Sequence, residues 1–82
     1  MSIIKEFLEK KNHFSFLNEG IAIRTENGEL ARVYSVYLHE NVPYVEYDRL
    51  SGGKFVHRPV SQLPIAAAER IADIMEWKLK RY

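Results

Sequence analysis

The chain contains no cysteine. Disulfide bonds, thiolate metal ligands and cysteine nucleophiles are therefore excluded, and the composition fits a reducing compartment. Long apolar stretches are missing too, since no run approaches the roughly 18 residues of a membrane-spanning helix. Residues 1–11 alternate charged and apolar side chains, unlike a signal peptide. These absences predict a cytoplasmic protein with no membrane partner.

Net charge is also nearly absent, because 12 basic side chains are balanced by 11 acidic ones, which leaves +1. No general electrostatic field then draws nucleic acid, membranes or acidic ligands to the protein. The 82 residues are 46% hydrophobic and 28% charged, which is typical of one soluble domain. A domain of this size has little room for a deep cavity beside its core. We therefore expect neither a cofactor nor a small-molecule substrate.

Turn chemistry divides the centre of the chain into short strands. Asn27-Gly28, Glu40-Asn41 and Ser51–Gly53 carry residue types that favour hairpin turns. The runs between and around them predict four strands, at 21–26, 29–39, 42–49 and 54–60, and two helices, at 2–12 and 64–80. Residues 13–18 fit either a further strand or a plug of aromatic side chains over the core. We therefore expect one α+β domain over 1–82, a strongly twisted and barrel-like antiparallel meander packed by the C-terminal helix, with a short N-terminal helix beside it.

Two-residue connections in all three hairpins set the strand registers. They place Ile21 and Tyr47 opposite Tyr34, and Val36 and Val60 opposite Val45. One face of the sheet then collects an apolar set, which we take as the core: Ile21, Ile23, Leu30, Tyr34, Val36, Leu38, Val45, Tyr47, Val56 and Val60. Three arginines also fall on this face, namely Arg32, Arg49 and Arg58, with Arg32 opposite Arg49. A bulge in the first hairpin would instead move Arg32 off this face.

The other face of the predicted sheet is mixed in character. Alternation places the following residues on it: Arg24, Val33, Ser35, Tyr37, Tyr44, Glu46, Asp48, Leu50, Phe55 and His57. The registers set Tyr37 opposite Tyr44, Asp48 opposite His57, and Leu50 opposite Phe55.

A tyrosine pair beside a carboxylate–histidine pair predicts a shallow binding site formed by Tyr37, Tyr44, Asp48 and His57. The alternative is ordinary cross-strand pairing on a solvated face. Since no serine or threonine nucleophile is assigned beside Asp48 and His57, we expect no catalytic residues and no enzyme. The histidines also lack the local spacing of a metal site.

The C-terminal helix carries one residue that does not fit its apolar stripe. The stripe consists of Ala68, Ile71, Ala72, Met75, Leu79 and Tyr82. Trp77 lies well away from it, in line with Arg70 and Arg81. Either another segment of the chain covers Trp77, or these three residues form a contact surface, because tryptophan and arginine are enriched at interface hot spots. A homodimer is the simplest partner.

Nucleic acid is the alternative partner. A basic patch is predicted from residues of the last strand and the C-terminal helix, namely Lys54, Arg58, Lys78, Lys80 and Arg81, while sheet aromatics could stack on bases. Glu46 and Asp48 lie among those aromatics and would repel phosphates. A basic helix end also complements the helix dipole without any ligand.

Four short runs resemble the strand pattern of small SH3-like barrels of the Tudor type. They are Gly-Ile-Ala-Ile-Arg at 20–24, Asn-Gly-Glu-Leu-Ala-Arg-Val at 27–33, Tyr-Val-Glu-Tyr-Asp at 44–48 and Val-Ser-Gln-Leu-Pro at 60–64. The resemblance implies a non-enzymatic module that binds peptides or nucleic acid. Where that family has a fifth strand after Leu63, this chain is predicted to enter a helix. Four strands followed by a helix also resembles, in topology, the single-strand-binding transcriptional coactivator fold.

Overall fold

The computed structural model describes the backbone of residues 2–11, 13–16, 20–49, 52 and 54–81, and the side chains of these ranges apart from residues 2, 3, 11 and 79–81. Over this part of the chain there are two α-helices, one 3₁₀ turn and five strands. In chain order they are α1 (Ser2–Lys11), β1 (His13–Ser15), β2 (Ala22–Arg24), β3 (Leu30–His39), β4 (Val42–Arg49), β5 (Val56–Pro59), the 3₁₀ turn (Val60–Gln62) and α2 (Ile65–Arg81). The predicted α+β class is confirmed.

The five strands form one antiparallel sheet built around β3. Along one edge β3 pairs with β4, which pairs in turn with β5. Along its other edge β3 pairs first with β2 and then with β1. The sheet is open and does not close into a barrel over the described residues. Arg58 on β5 nevertheless forms an ion pair with Glu26 in the turn that follows β2, so two long side chains link opposite edges of the sheet.

Residues 13–16 combine the two alternatives that the sequence allowed, a further strand and a plug of aromatic side chains over the core. His13–Ser15 is a short strand, and Phe14 and Phe16 on its inward side are buried. The Phe14 ring lies 5.0 Å from that of Phe7 and 4.6 Å from that of Phe16, between ring centroids. Residues 17–19 lie outside the described part of the chain.

Both helices cover the same face of the sheet. The backbone of α1 approaches β3 and β4 within 8 Å, and that of α2 approaches α1 and β2. The N-terminal helix therefore lies over the central strands, where the sequence assigned cover to the C-terminal helix. The predicted stripe of α2 is buried at Ala68, Ile71, Ala72 and Met75, while Leu79 and Tyr82 lie outside the described side chains.

A bulge at Tyr34 corrects the predicted register of the β3–β4 pair. Val36 does face Val45, but Val33, and not Tyr34, faces Tyr47. One extra residue on β3 inverts the alternation before it. Val33 therefore lies in the core and is 1% exposed, although the sequence placed it on the opposite face. The sequence pattern contains no glycine or other marker of a bulge at this position.

The same bulge moves Arg32 to the uncovered face. It lies opposite Asp48, so its predicted position opposite Arg49 is wrong. Arg49 instead lies opposite Ala31, with its Nε 4.0 Å from an oxygen of Glu29. Arg32 therefore lies beside the Asp48 carboxylate and Arg49 beside that of Glu29. The contact between two arginines that the predicted registers implied does not occur.

The first hairpin has a three-residue loop where two residues were expected. The amide of Thr25 donates to the carbonyl of Glu29, and the amide of Gly28 donates back to Thr25, both at 2.9 Å. Gly28 has a φ of 78°, whereas Asn27 is not among the residues with positive φ. This is a turn followed by a left-handed glycine. Ile21 consequently faces Val33, with a 3.1 Å hydrogen bond from the Val33 amide, and does not face Tyr34.

The pairing of β5 is displaced by two residues from its predicted register. His57 faces Glu46 and not Asp48, and Arg58, not Val60, faces Val45. The turn closes early, because the amide of Gly52 donates to the carbonyl of Arg49 at 2.9 Å, and β5 begins only at Val56. A shift of two keeps each side chain on its predicted face but changes its neighbour. The predicted pairing of Leu50 with Phe55 lies outside the described residues.

The Glu40-Asn41 turn stores backbone strain. Both residues have positive φ, at 52° and 66°, as a two-residue turn between β3 and β4 requires. A glutamate in this region is unfavourable by about 1–2 kcal/mol. We expect Glu40→Asn to raise the free energy of unfolding by about 0.5–1 kcal/mol, because asparagine tolerates positive φ. In thermal unfolding, Glu40→Val should shift in the opposite direction, and a stabilised valine variant would contradict this explanation.

Candidate functional site

The sheet face that the helices leave uncovered carries a continuous polar and aromatic surface. Strand registers place these side chains on it: His13, Ser15, Arg32, Tyr34, Ser35, Tyr37, His39, Tyr44, Glu46, Asp48 and His57. We call this surface the outer face. The core lies on the other side, where Val36, Val45 and their neighbours pack under α1 and α2. The strand registers therefore fix which of these residues are neighbours on the outer face.

The tyrosine pair predicted from the sequence lies at the centre of the outer face. Tyr37 and Tyr44 face each other across β3 and β4, with stacked rings 5.9 Å apart. Each of the chain's three histidines adjoins this pair. His57 contacts Tyr37, the ring of His39 lies 5.4 Å from that of Tyr44, and His13 is the β1 partner of Tyr37. The sequence contains no local histidine motif, so this grouping arises only from the strand order.

A line of contacting polar side chains runs from the tyrosine pair to Ser35, with hydrogen bonds at its two ends. The Tyr37 hydroxyl lies 2.9 Å from Nδ1 of His57, and the other nitrogen of that ring lies 3.7 Å from a carboxylate oxygen of Glu46. Ser35 donates to the second Glu46 oxygen at 3.0 Å. A neutral His57 with its proton on Nε2 can accept from Tyr37 and face Glu46 with its N–H. Four side chains from three strands thereby hold one arrangement.

Burial raises the pKa of Tyr37 above its ordinary value of 10.0, and the neighbouring Glu46 carboxylate and Tyr44 hydroxyl add to the effect. Tyr37 thus keeps its proton at neutral pH. The folded state holds this proton more firmly than the unfolded chain, so the stability it contributes is complete below about pH 10 and is lost as pH rises through the folded-state pKa. We expect urea unfolding to show a free energy that falls above pH 10, and falls less in Tyr37→Phe. An equal fall in both proteins would contradict this assignment.

A second cluster lies at the end of the outer face near the bulge. Arg32 donates to the Tyr34 hydroxyl at 2.7 Å, and that hydroxyl donates to Asp48 at 3.1 Å. The rings of Tyr34 and Phe55 form a T-shaped pair with their centroids 4.9 Å apart. Phe55 is 54% exposed, so it presents a large apolar side chain beside these polar groups. Asp48, predicted as the partner of His57, therefore belongs to this cluster, and Glu46 takes the predicted role of Asp48.

The α2 residues proposed as an interaction surface are partly described. Trp77 is 51% exposed and Arg70 is exposed, while nothing is described of the Arg81 side chain. The Lys78 ammonium lies 5.9 Å from the centre of the Trp77 ring. Neither α1 nor the segment at Phe14 and Phe16 buries Trp77 fully.

In the part of the chain that the structure describes, neither α-helix has the length and apolar character needed to span a bilayer.

The residues of the predicted basic patch lie on different elements. Lys54 is exposed in the connection before β5. Arg58 lies on the core side of β5 and is neutralised by Glu26, so it does not face outward with the sheet aromatics. Lys78 lies beside Trp77 on α2, and the side chains of Lys80 and Arg81 lie outside the described part. Arg58 thus lies on the core side, where the strand alternation placed it, and its ion pair with Glu26 was not predicted.

The side chains of the outer face contact one another through hydrogen bonds and ring stacking. Ser35 donates to Glu46, whereas in a catalytic triad the serine donates to the histidine. Within the described ranges, no group of three or more histidine and acidic side chains has a geometry that could hold a metal ion.

Sequence reasoning placed Ser35 and Glu46 on this face but did not propose them as site residues. The position at which the turn before β5 closes decides the neighbour of His57, and the Ser-Gly-Gly composition does not fix that position. Tyr34 was missed because its residue type does not mark a bulge. The outward position of Arg32 was reached only as the alternative of a bulge in the first hairpin, whereas the shift in the β3–β4 pair lies between Val33 and Ser35. Comparisons with known proteins give no relative: no protein-family model, no curated protein and no solved structure matches the chain.

Proposed function

We propose that the protein is a small non-enzymatic binding module whose outer face receives a segment of another protein. The observation that carries this proposal is the Tyr37–Tyr44 pair, which stands at the centre of a sheet face that neither helix covers. Tyrosine combines apolar area with a hydroxyl and loses little side-chain entropy on binding, which makes it a frequent anchor in interfaces.

Pre-organisation supports the proposal. Tyr37 and His57 are joined by a hydrogen bond, and Tyr34 is held between Arg32 and Asp48. Side chains that already occupy one rotamer lose less freedom when a partner docks. Phe55, which is 54% exposed, adds apolar area at one end of the surface.

Charge on the outer face favours a protein segment with a basic residue. Glu46 and Asp48 lie next to each other on one face of β4. The Arg32 guanidinium lies 3.7 Å from Asp48, whereas among the described residues the basic group beside Glu46 is His57, which is charged only when protonated. A carboxylate at the centre of the surface would attract lysine or arginine and repel phosphate. This is why we prefer a protein segment to the single-stranded nucleic acid that the sheet aromatics alone would suit.

The experiment is to select peptides against the protein from a random display library and to map them by NMR. We expect selected peptides to shift amides of β3 and β4, and Tyr44→Ala to weaken their binding at least tenfold, or about 1.4 kcal/mol. Trp77→Ala on α2 is the matched aromatic control and should leave this affinity unchanged.

Three results would overturn the proposal. They are a library that yields no binder, binders whose shifts lie away from β3 and β4, and binders indifferent to Tyr44→Ala. Retention of the protein on single-stranded DNA or RNA at low salt, with affinity falling steeply as salt rises, would favour the nucleic-acid alternative.

A further inference from the structure

Four residues of α2 form a stripe along its solvent side. Ala66, Arg70, Asp73 and Trp77 follow one another at spacings of four, three and four, which places them within about 60° around the helix axis. We call this stripe the α2 seam. All four side chains are exposed, and Trp77 is 51% exposed. The apolar stripe that holds α2 to the core lies on the opposite side of the helix.

The α2 seam contains both a shallow groove beside Ala66 and a projecting side chain, that of Trp77. A shallow groove is lined by Ala66, Glu69, Arg70, Asp73 and Ile74. Ala66 leaves space at one end of the seam, and the indole of Trp77 stands at the other end. Spacings of four and three are those that keep side chains facing a partner helix in coiled-coil packing.

The order of these residues is self-complementary when one copy of the helix is reversed. Antiparallel pairing about a point midway between residues 71 and 72 sets Ala66 opposite Trp77, and Arg70 opposite Asp73, twice over. The largest side chain then meets the smallest, and each guanidinium meets a carboxylate. Parallel pairing in register would set Arg70 against Arg70 and Asp73 against Asp73, which is unfavourable for both charges.

We propose that the α2 seams of two copies of this chain pack antiparallel about a two-fold axis and form a homodimer. Each Trp77 seats in the groove beside Ala66 of the other copy, and two reciprocal Arg70–Asp73 ion pairs flank the axis. Such an isologous contact is the commonest form of self-association. It lies on a different element from the outer face, so it goes beyond the function proposed above and can be tested independently of it.

The size of the seam sets the strength of the dimer. One helix face contributes less surface than the roughly 1,200–2,000 Å² buried in standard stable interfaces. Trp77 should supply most of the affinity as a hot spot, and the rim ion pairs should supply orientation. The dimer is therefore weak, with a dissociation constant in the micromolar to millimolar range.

The test is sedimentation equilibrium of the full chain and of charge variants. Arg70→Asp alone sets like charges across the axis, as does Asp73→Arg alone, and each should raise the dissociation constant at least tenfold. An equimolar mixture of these two variants pairs introduced carboxylates with the guanidinium groups of the other chain, and should recover the wild-type association. Circular dichroism confirms that each exposed substitution leaves the fold intact.

Alanine variants distinguish the contribution of Trp77 to dimer affinity from that of any other exposed apolar side chain. Trp77→Ala should weaken the dimer at least tenfold, whereas Ile65→Ala, which removes an exposed apolar side chain outside the seam, should not. A wild-type chain that stays monomeric at millimolar concentration overturns the proposal. So does a dimer that is indifferent to Trp77→Ala, or a mixture of charge variants that fails to associate.

Discussion

Replacing Phe16 by alanine is expected to lower the free energy of unfolding by about 3–5 kcal/mol. Phe16 directly follows β1 and is 1% exposed, and the centroid of its ring lies 4.6 Å from that of Phe14. Removing it loses apolar burial and leaves a cavity that close-packed neighbours fill only in part. A chain of 82 residues has a total stability of only about 4–12 kcal/mol at the usual 0.05–0.15 kcal/mol per residue. The variant should therefore lose a large part of its stability.

Phe55→Ala provides the matched control, because it deletes the same side chain where it is 54% exposed. Its cost should stay below about 1 kcal/mol, since surface substitutions without a special role are nearly neutral. Urea unfolding followed by circular dichroism measures both variants. Equal losses for Phe16→Ala and Phe55→Ala would show that the aromatic segment at residues 13–16 does not belong to the core.

The second large effect is expected from Val33→Lys, which should abolish cooperative folding at room temperature. Val33 is 1% exposed and faces Tyr47 beneath the helices. An ammonium group placed there has no carboxylate partner, and burying it costs several kcal/mol even after relaxation. This variant also tests the bulge, because the uninterrupted alternation of β3 would point Val33 to the outer face, where lysine is tolerated.

Val42→Lys introduces the same side chain in place of the same residue at the start of β4. Val42 is 42% exposed, so we expect a change within about 1 kcal/mol. Thermal unfolding and one-dimensional proton NMR distinguish a folded from an unfolded variant. A Val33→Lys protein that keeps dispersed methyl resonances and a melting transition close to that of the wild type would contradict the register described here.

The fold class could be predicted from the sequence because its signals are local. Helical periodicity marks α2, and turn residues at Asn27-Gly28 and Glu40-Asn41 separate the strands. Val36 opposite Val45, and Tyr37 opposite Tyr44, also follow from a tight turn that lies near them in the chain. The centre of the proposed binding surface was therefore within reach of the sequence alone.

The rest could not be predicted because it depends on single-residue and two-residue displacements. The bulge at Tyr34 inverts one half of β3, and nothing in that residue type signals it. The early closure of the turn before β5 shifts the pairing by two residues and exchanges Asp48 for Glu46 beside His57, while each side chain keeps its predicted face. α1 lies over β3 and β4, and this position depends on tertiary packing. Both helices are amphipathic with similar apolar stripes, so hydrophobic periodicity does not indicate which of them covers the central strands.

The division of one edge of β3 between β1 and β2 has a consequence for the order of folding. β2 reaches its place through a three-residue loop, so the hairpin with β3 closes rapidly. β1 must be brought to Val36 and Tyr37 from more than 20 positions away, which costs more loop-closure entropy. We therefore expect the hairpins to assemble first, and the N-terminal segment to dock last and detach first when the native state opens.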